Sequence, residues 1–242
     1  MRDGTGFDGQ LPCRPWSFWR YNWLAHHMLI GELERQRHRV RGTLLDVGCG
    51  SRPYASIFRG FADRYVGLDL PDAPGLRGPA PDVFGDAERL PVRDGAVDTV
   101  LSLSVINLLH EPVRGLAEMR RVLAPQGVAI LEFVQTAPVY VASPDLWRFT
   151  RLGVERLLRE AGLEPVEIVP IGRLPGMVGL AAIAGLNRIN RGPWRFLTEL
   201  PVRLLYVLIQ LVAELLDRLF AGSQEVVAHV VVARRASRPS EE

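Results

Sequence analysis

Along this chain the apolar positions change period several times, and each change marks an element. Short apolar runs bounded by glycine, proline or aspartate read as strands near 43–47, 64–69, 82–85, 96–103, 127–134, 164–170 and 225–234. Between them, apolar spacing predicts helices near 54–60, 112–123 and 150–161. Thr150 is placed to cap the last of these and Gly162 to stop it. Strands alternating with helices predict an α/β fold with a doubly wound, seven-stranded, mostly parallel sheet.

Two stretches lie outside that alternation. Trp16 to Arg39 has helical spacing, with Trp16, Trp19 and Trp23 at i, i+3 and i+7. Three tryptophans on one face must cover something: the main domain by packing, an acceptor pocket as a lid, or a membrane interface as an anchor. Gly172 to Gly222, mostly apolar, separates the sixth and seventh strands. Its first part, Leu174 to Leu186, is uncharged and carries Gly176, Gly179, Ala181, Ala182 and Gly185, which allow close helix contact. Its second part, Trp194 to Phe220, predicts a long helix with Arg203, Gln210, Glu214 and Asp217 in one narrow polar stripe.

Neither part reaches the roughly 18–20 uninterrupted apolar residues that a bilayer span requires. Three roles stay open for this hairpin: a cap on the acceptor pocket, a homodimer face, or a peripheral membrane contact. Arg188, Arg191, Arg195 and Arg203 suit anionic lipid and equally suit ordinary solvent. The expected organisation is an arm and lid helix over 1–41, a main domain over 42–171 and 223–235, the apolar insertion over 172–222, and a disordered tail over 236–242.

The 242 residues suffice for one well-buried domain with an insertion. A net charge of +2 leaves no global drive toward nucleic acid. All 29 basic residues are arginine, which removes a lysine base or Schiff base. Two cysteines, Cys13 and Cys49, give no disulfide framework and fit a reducing cytoplasm. Met1 to Gln10 lacks the basic and apolar regions of a signal peptide. No His/Cys/Asp cluster has metal-ligand spacing. A cytoplasmic protein is expected, with the membrane surface left open.

The densest chemical signal is Leu44-Leu45-Asp46-Val47-Gly48-Cys49-Gly50, a buried strand ending in a tight glycine turn. A second strand, Tyr65-Val66-Gly67-Leu68-Asp69-Leu70, ends in an acid 19 residues after Gly50. That pairing describes a nucleoside pocket, with glycines for close backbone approach and an acid for the ribose hydroxyls. A dinucleotide fingerprint fails because its third glycine position is Pro53, and no lysine exists for a P-loop. Asp46 suits a ligand with a positive ammonium or sulfonium group better than a pyrophosphate. These residues favour S-adenosylmethionine (SAM) over NAD or ATP.

At these residues the sequence resembles the class I SAM-dependent methyltransferases, in particular the small-molecule group called methyltransferase type 11. The resemblance runs from Gly42 to Val169 and resumes at Gln224 to Arg235. It implies a Rossmann-like sheet with SAM as cofactor. Asp46, Gly48, Cys49 and Gly50 would hold the amino-acid end of SAM, and Asp69, followed by Leu70, the ribose. In Gly85-Asp86-Ala87-Glu88-Arg89-Leu90-Pro91, Asp86 and Ala87 would face the adenine. Asp98-Thr99-Val100-Leu101-Ser102 resembles the fourth strand, with Ser102 at the cofactor. Arg121-Val122-Leu123-Ala124-Pro125-Gln126-Gly127 is similar to the family turn R-V-L-K-P-G-G, and Asp145-Leu146-Trp147-Arg148-Phe149-Thr150 to D-Y-W-R-F-T. The insertion departs from the family, whose last two strands are joined by a short loop.

Methyl transfer from SAM is an in-line displacement, so the protein mainly aligns the acceptor and excludes water. A base is needed only where the acceptor must lose a proton. Against the family's V-L-E-H-V-P-D-P, Asn107 replaces the glutamate, Leu108 replaces the histidine, and His110 falls on the proline. His110 stays a candidate base by its ordinary pKa, or is a helix-start histidine satisfied by backbone or solvent. After the fifth strand, Tyr140 and Asp145 are candidates for orienting the acceptor. Trp147, Arg148 and Phe149 build the pocket wall or fix the loop. The expected function is methyl transfer to a small, hydrophobic or lipid-linked acceptor, by default at oxygen. The alternative is a non-catalytic SAM-binding or membrane- or partner-interaction protein.

Overall fold

The computed structural model describes residues 19–20, 22–73, 80–138, 145–190, 195–220 and 222–236. The expected loose arm at Met1–Pro15, Trp16, Tyr140 and the tail beyond Ala236 lie outside the described residues.

One seven-stranded sheet organises the chain in the order β3-β2-β1-β4-β5-β7-β6. The strands are β1 Thr43–Val47, β2 Arg64–Asp69, β3 Val83–Phe84, β4 Val97–Ser102, β5 Leu123–Val134, β6 Leu163–Ile171 and β7 Ala228–Arg235. The first five are parallel, and β7 runs antiparallel to both β5 and β6. β1 and β4 are covered on both faces, which is why Leu44, Leu45, Val47, Val100 and Leu101 read as apolar runs without alternation. Strand order reverses between β1 and β4, so a crevice opens at their carboxyl ends.

Helices lie on both faces. The helix α1 is Trp23–Gln36, α2 is Pro112–Val122, α3 is Arg151–Glu160, α4 is Leu174–Ile189 and α5 is Arg195–Asp217. On one face, Leu116 and Met119 of α2 and Val154 and Leu158 of α3 pack on Leu45, Val100, Ala129 and Leu131. On the other, Leu24, Leu29 and Leu33 of α1 meet Leu44, Leu101 and Ile130, with Leu180 of α4 and Ala213 of α5 in the same cluster.

Several expected elements shift. The helix at 54–60 is only a 3-10 turn, Ala55–Phe58, and Gly60 adopts a φ of +83°. β5 begins at Leu123, four residues early, because Leu123 pairs with Val97 across a register shift in β4. The last strand starts at Ala228 rather than 225, since the Val227 amide turns away to the Ile171 and Gly172 carbonyls. Trp19 does not join Trp23 on the helix: it sits in a turn before α1, 47% exposed. Thr150 and Gly162 act as expected, Thr150 accepting from the Gly153 amide and Gly162 adopting a φ of +72°.

The insertion forms a helical hairpin whose long helix is inverted relative to solvent. A Cβ on Gly179 would lie 2.9 Å from that of Ala213, so the small residues of α4 bring α5 close. The polar stripe of α5 points inward. The Gln210 side chain, fully buried, accepts from the Leu24 amide in the first turn of α1. Asp217 accepts from the Gly176 amide and pairs with Arg173, and Glu214 pairs with His27. The apolar stripe faces outward instead, with Leu208 57%, Leu215 67% and Leu219 75% exposed.

Gln210→Leu removes the only described acceptor of a buried helix-start amide. It should cost about 1–3 kcal/mol of stability, measured by urea denaturation with an unchanged slope.

Candidate cofactor and acceptor site

The glycine turn after β1 is latched to the tip of β2. The Gly48 and Cys49 amides donate to the Leu68 carbonyl at 2.8 and 3.0 Å. The Gly50 amide donates to Asp69 Oδ2 at 2.7 Å, and the Leu70 amide to Oδ1 at 2.8 Å. Gly48 and Gly50 adopt φ of +76° and +49°. Their roles differ. A Cβ on Gly48 would lie 2.2 Å from Cγ2 of Val105, whereas one on Gly50 would meet nothing within 4 Å. Gly48 thus lets the segment after β4 close down, and Gly50 leaves open space above the turn. Each Asp69 oxygen keeps a second lone pair for a ribose hydroxyl.

Behind the turn lies a charged cluster. Asp46, 5% exposed, accepts from the Tyr65 hydroxyl, and burial pushes its carboxyl up to about 7. Arg52, with a φ of +58°, lies over the Tyr65 ring, donates to the Ala80 carbonyl and pairs with Asp82 at 3.0 Å. Sequence reasoning passed over Arg52, although an arginine between the glycine turn and Pro53 was a visible signal. A positively charged ligand at this corner supplies the charge that favours ionised Asp46, so the residues fit the amino-acid end of SAM. The Cys49 thiol, pushed up to about 12 mainly by burial, is inert and serves as a small apolar residue.

The other expected cofactor residues continue along the same edge. The Gly85 amide donates to the Asp69 carbonyl at 3.0 Å, which brings the next turn alongside. There, exposed Asp86 accepts from the Glu88 amide and Ala87 is buried. Leu70 is 44% exposed at the rim. Ser102 is fully buried, its hydroxyl without a hydrogen-bond partner among the described residues.

On the far side of the crevice, two arrangements stand where an acceptor would lie. Asn107 Nδ2 donates to Asp145 Oδ1 at 2.8 Å, and Arg148 clamps both oxygens of that carboxylate. The Leu146 and Trp147 amides donate to the Asn107 carbonyl, and Trp147 Nε1 to the Leu109 carbonyl. Phe149 packs edge-on against Phe133. Asp145 is thus engaged in tying this loop down, and Trp147, Arg148 and Phe149 help it. His110 is exposed immediately before α2, next to Leu109.

The second arrangement went unnoticed in the sequence. Glu132, 6% exposed, accepts from the Ser104 hydroxyl at 2.7 Å, and burial raises its pKa. Ser104 is exposed, with a φ of +57°. By strand alternation Glu132 shares the face of Ile130, toward α1 and the hairpin. The signal was an acid inside an otherwise apolar strand, Ala129-Ile130-Leu131-Glu132-Phe133-Val134. On the helix that covers this face, His26 Nδ1 lies 2.8 Å from the Tyr54 hydroxyl, and burial lowers the His26 pKa to about 4.

Residues 45–131 match the family described as "Methyltransferase domain". A probable S-adenosylmethionine-dependent methyltransferase of Mycolicibacterium smegmatis is 32% identical over 115 residues, 45% of this chain and 44% of that protein. The chain spans less than half the length of the curated relatives it matches. Among solved structures, a protein of Bacillus halodurans described provisionally as a methyltransferase superposes with a TM-score of 0.52 at 17% identity, covering 86% of this chain and 99% of that one. The cyclase SpnF gives 0.56 at 19% identity, covering 88% and 82%. The stretch matched to a methyltransferase domain, residues 45–131, contains the glycine turn and the acid closing β2. The structural likenesses establish the fold, which by itself fixes no reaction.

Two outcomes test this geometry. Without ligand, an acid whose folded pKa is raised from 3.8 to about 7 favours the fold below about pH 4, and that contribution is lost as pH climbs through 7. Asp46→Asn should therefore gain stability relative to the parent between pH 4 and pH 8, measured by urea denaturation at both. Gly48→Ala, strained and in collision with Val105, should lower the melting temperature and weaken binding of S-adenosylhomocysteine by at least about tenfold in calorimetry.

Proposed function

We propose that this protein transfers a methyl group from SAM to a hydroxyl of a small, hydrophobic or lipid-linked acceptor. SAM, when bound, supplies a methyl group whose leaving sulfur is already activated by positive charge. The chain's own residues do the rest. Asp69 fixes the ribose beside β2, the turn Gly48–Gly50 fixes the amino-acid end beside β1, and Asp46 supplies the counter-charge. With the adenine turn at β3, the cofactor runs β3 to β2 to β1 along the sheet order, which directs the reacting end toward β4 and β5.

The observation that carries the reading stands there: the Ser104–Glu132 pair at the ends of β4 and β5. A buried carboxylate with a raised pKa and an exposed hydroxyl bonded to it can accept the proton of an acceptor alcohol as its oxygen takes the methyl. Support for an apolar acceptor comes from the hairpin, because Leu180 and Ala213 pack with Ile171, Val227 and Ala228 at that same edge of the sheet. His110 and Asp145 remain proposals of second rank, the former exposed and the latter engaged by Asn107 and Arg148.

Calorimetric titration with S-adenosylhomocysteine, with NAD as control, tests the cofactor, and methyl transfer from labelled SAM to lipophilic alcohols and lipid-linked sugars tests the acceptor class. Binding of the first ligand alone, followed by transfer, is the expected result. Binding with no transfer across the panel would favour the non-catalytic alternative. Asp69→Ala should weaken S-adenosylhomocysteine by roughly 1–3 kcal/mol through lost charge-assisted hydrogen bonds. Glu132→Gln keeps the Ser104 bond but cannot take a proton. It should lower kcat by about 10²–10⁴-fold, leave that affinity unchanged, and abolish the rise of rate with pH through the raised Glu132 pKa. Full activity in this variant would remove Glu132 from the mechanism.

A further inference from the structure

The outer face of α5 is apolar for about 27 Å of helix length, residues 200–217 at 1.5 Å each. Leu204, Leu208, Leu211 and Leu215 are 50–67% exposed and recur at helical spacing, and Leu219 and Phe220, 75% and 42% exposed, continue the patch just beyond the helix end. The face is a built one, because every polar residue of the stripe except Arg203 is consumed inside. Gln210 caps α1, Asp217 holds Gly176 and Arg173, and Glu214 turns to His27. The other charged side chains described on and just beyond the helix are Arg203, 48% exposed and paired with the partly exposed Glu199, and Arg218, 78% exposed and 3.9 Å from Glu214.

Charge distinguishes what can cover such a face. Residues 172–222 contain six arginines and three acids, a net +3, while the whole chain carries +2. The positive excess therefore sits in the hairpin, and the rest of the protein is close to neutral. A second copy of this chain would set one +3 hairpin against another. A bilayer containing anionic lipid offers hydrocarbon to the leucines and negative headgroups to the arginines. No helix among the described residues is long and apolar enough to cross a membrane, so the contact lies in the plane of the surface.

We propose that the outer face of α5 docks this protein onto an anionic lipid bilayer. The helix lies along the interface with its leucine ridge below the headgroups and Arg203 and Arg218 among them. Through Leu180, Ala213 and their neighbours Ile171 and Ala228, the docked hairpin holds the acceptor edge of the sheet next to the membrane. The proposal does not depend on the methyl-transfer reading, since it concerns a surface and requires neither cofactor nor acceptor.

The test is cosedimentation of the full-length protein with phosphatidylcholine vesicles containing about 30% phosphatidylglycerol, against phosphatidylcholine alone. The expected result is at least about tenfold tighter association with the anionic vesicles, weakened by high salt. The double variant L208E/L215E alters only exposed side chains, so its melting temperature and S-adenosylhomocysteine affinity should match the parent's while vesicle association falls at least about tenfold. Three results would overturn the proposal. The parent protein stays in the supernatant with anionic vesicles. The double variant sediments as well as the parent. Light scattering finds a stable dimer that the double variant converts to monomer, which would make the face a homodimer contact.

Discussion

The arrangement rests on a short backbone latch. One carbonyl, Leu68, and one carboxylate, Asp69, together accept the amides of Gly48, Cys49, Gly50 and Leu70. The latch converts two neighbouring strand ends into one rigid lip at the point where strand order reverses. Everything chemical in the protein is measured from that lip. The turn after β3 is tied to it through the Gly85 amide and the Asp69 carbonyl, and the segment after β4 can close on it only because Gly48 lacks a Cβ. Half of the latch is backbone to backbone, and the other half needs the Asp69 side chain.

Behind the lip, two buried acids are treated differently by their surroundings. Asp46 has a Tyr65 hydroxyl for company and the Arg52 charge nearby, yet burial outweighs both and raises its pKa. Glu132 has Ser104 to stabilise its charge, and burial dominates again. The first stands near the end of β1 and the second near the end of β5, two strands away in the sheet. A buried carboxylate costs stability, and both lie near the carboxyl ends of their strands, beside the crevice where strand order reverses.

The hairpin obeys the same accounting of polar groups. Its helix α5 buries glutamine and acids and exposes leucine, the reverse of an ordinary surface helix. The inversion has a local cause. The start of α1 presents the Leu24 amide, the start of α4 presents the Gly176 amide, and Gln210 and Asp217 of α5 accept from them. Once those polar residues face inward, helical geometry sends the leucines outward.

Much of the fold was legible in the sequence because period and punctuation are local. Strands β1, β2 and β4, the cap at Thr150 and the stop at Gly162 follow from residues adjacent in the chain, and so does the motif Asp46–Gly50 with its partner Asp69. The exceptions were the places where distant residues decide. Leu123 became strand because Val97 lies opposite it, and Trp19 left the helix that its spacing suggested. Glu132 found Ser104 only when β4 and β5 came together. The sequence by itself determined the class of domain, the cofactor lip and the presence of two long apolar helices. Only the tertiary structure decided which face of α5 meets solvent and which acids are buried. Both depend on contacts between residues far apart in the chain, and periodicity gives the angle between side chains but not the direction in which the helix is turned.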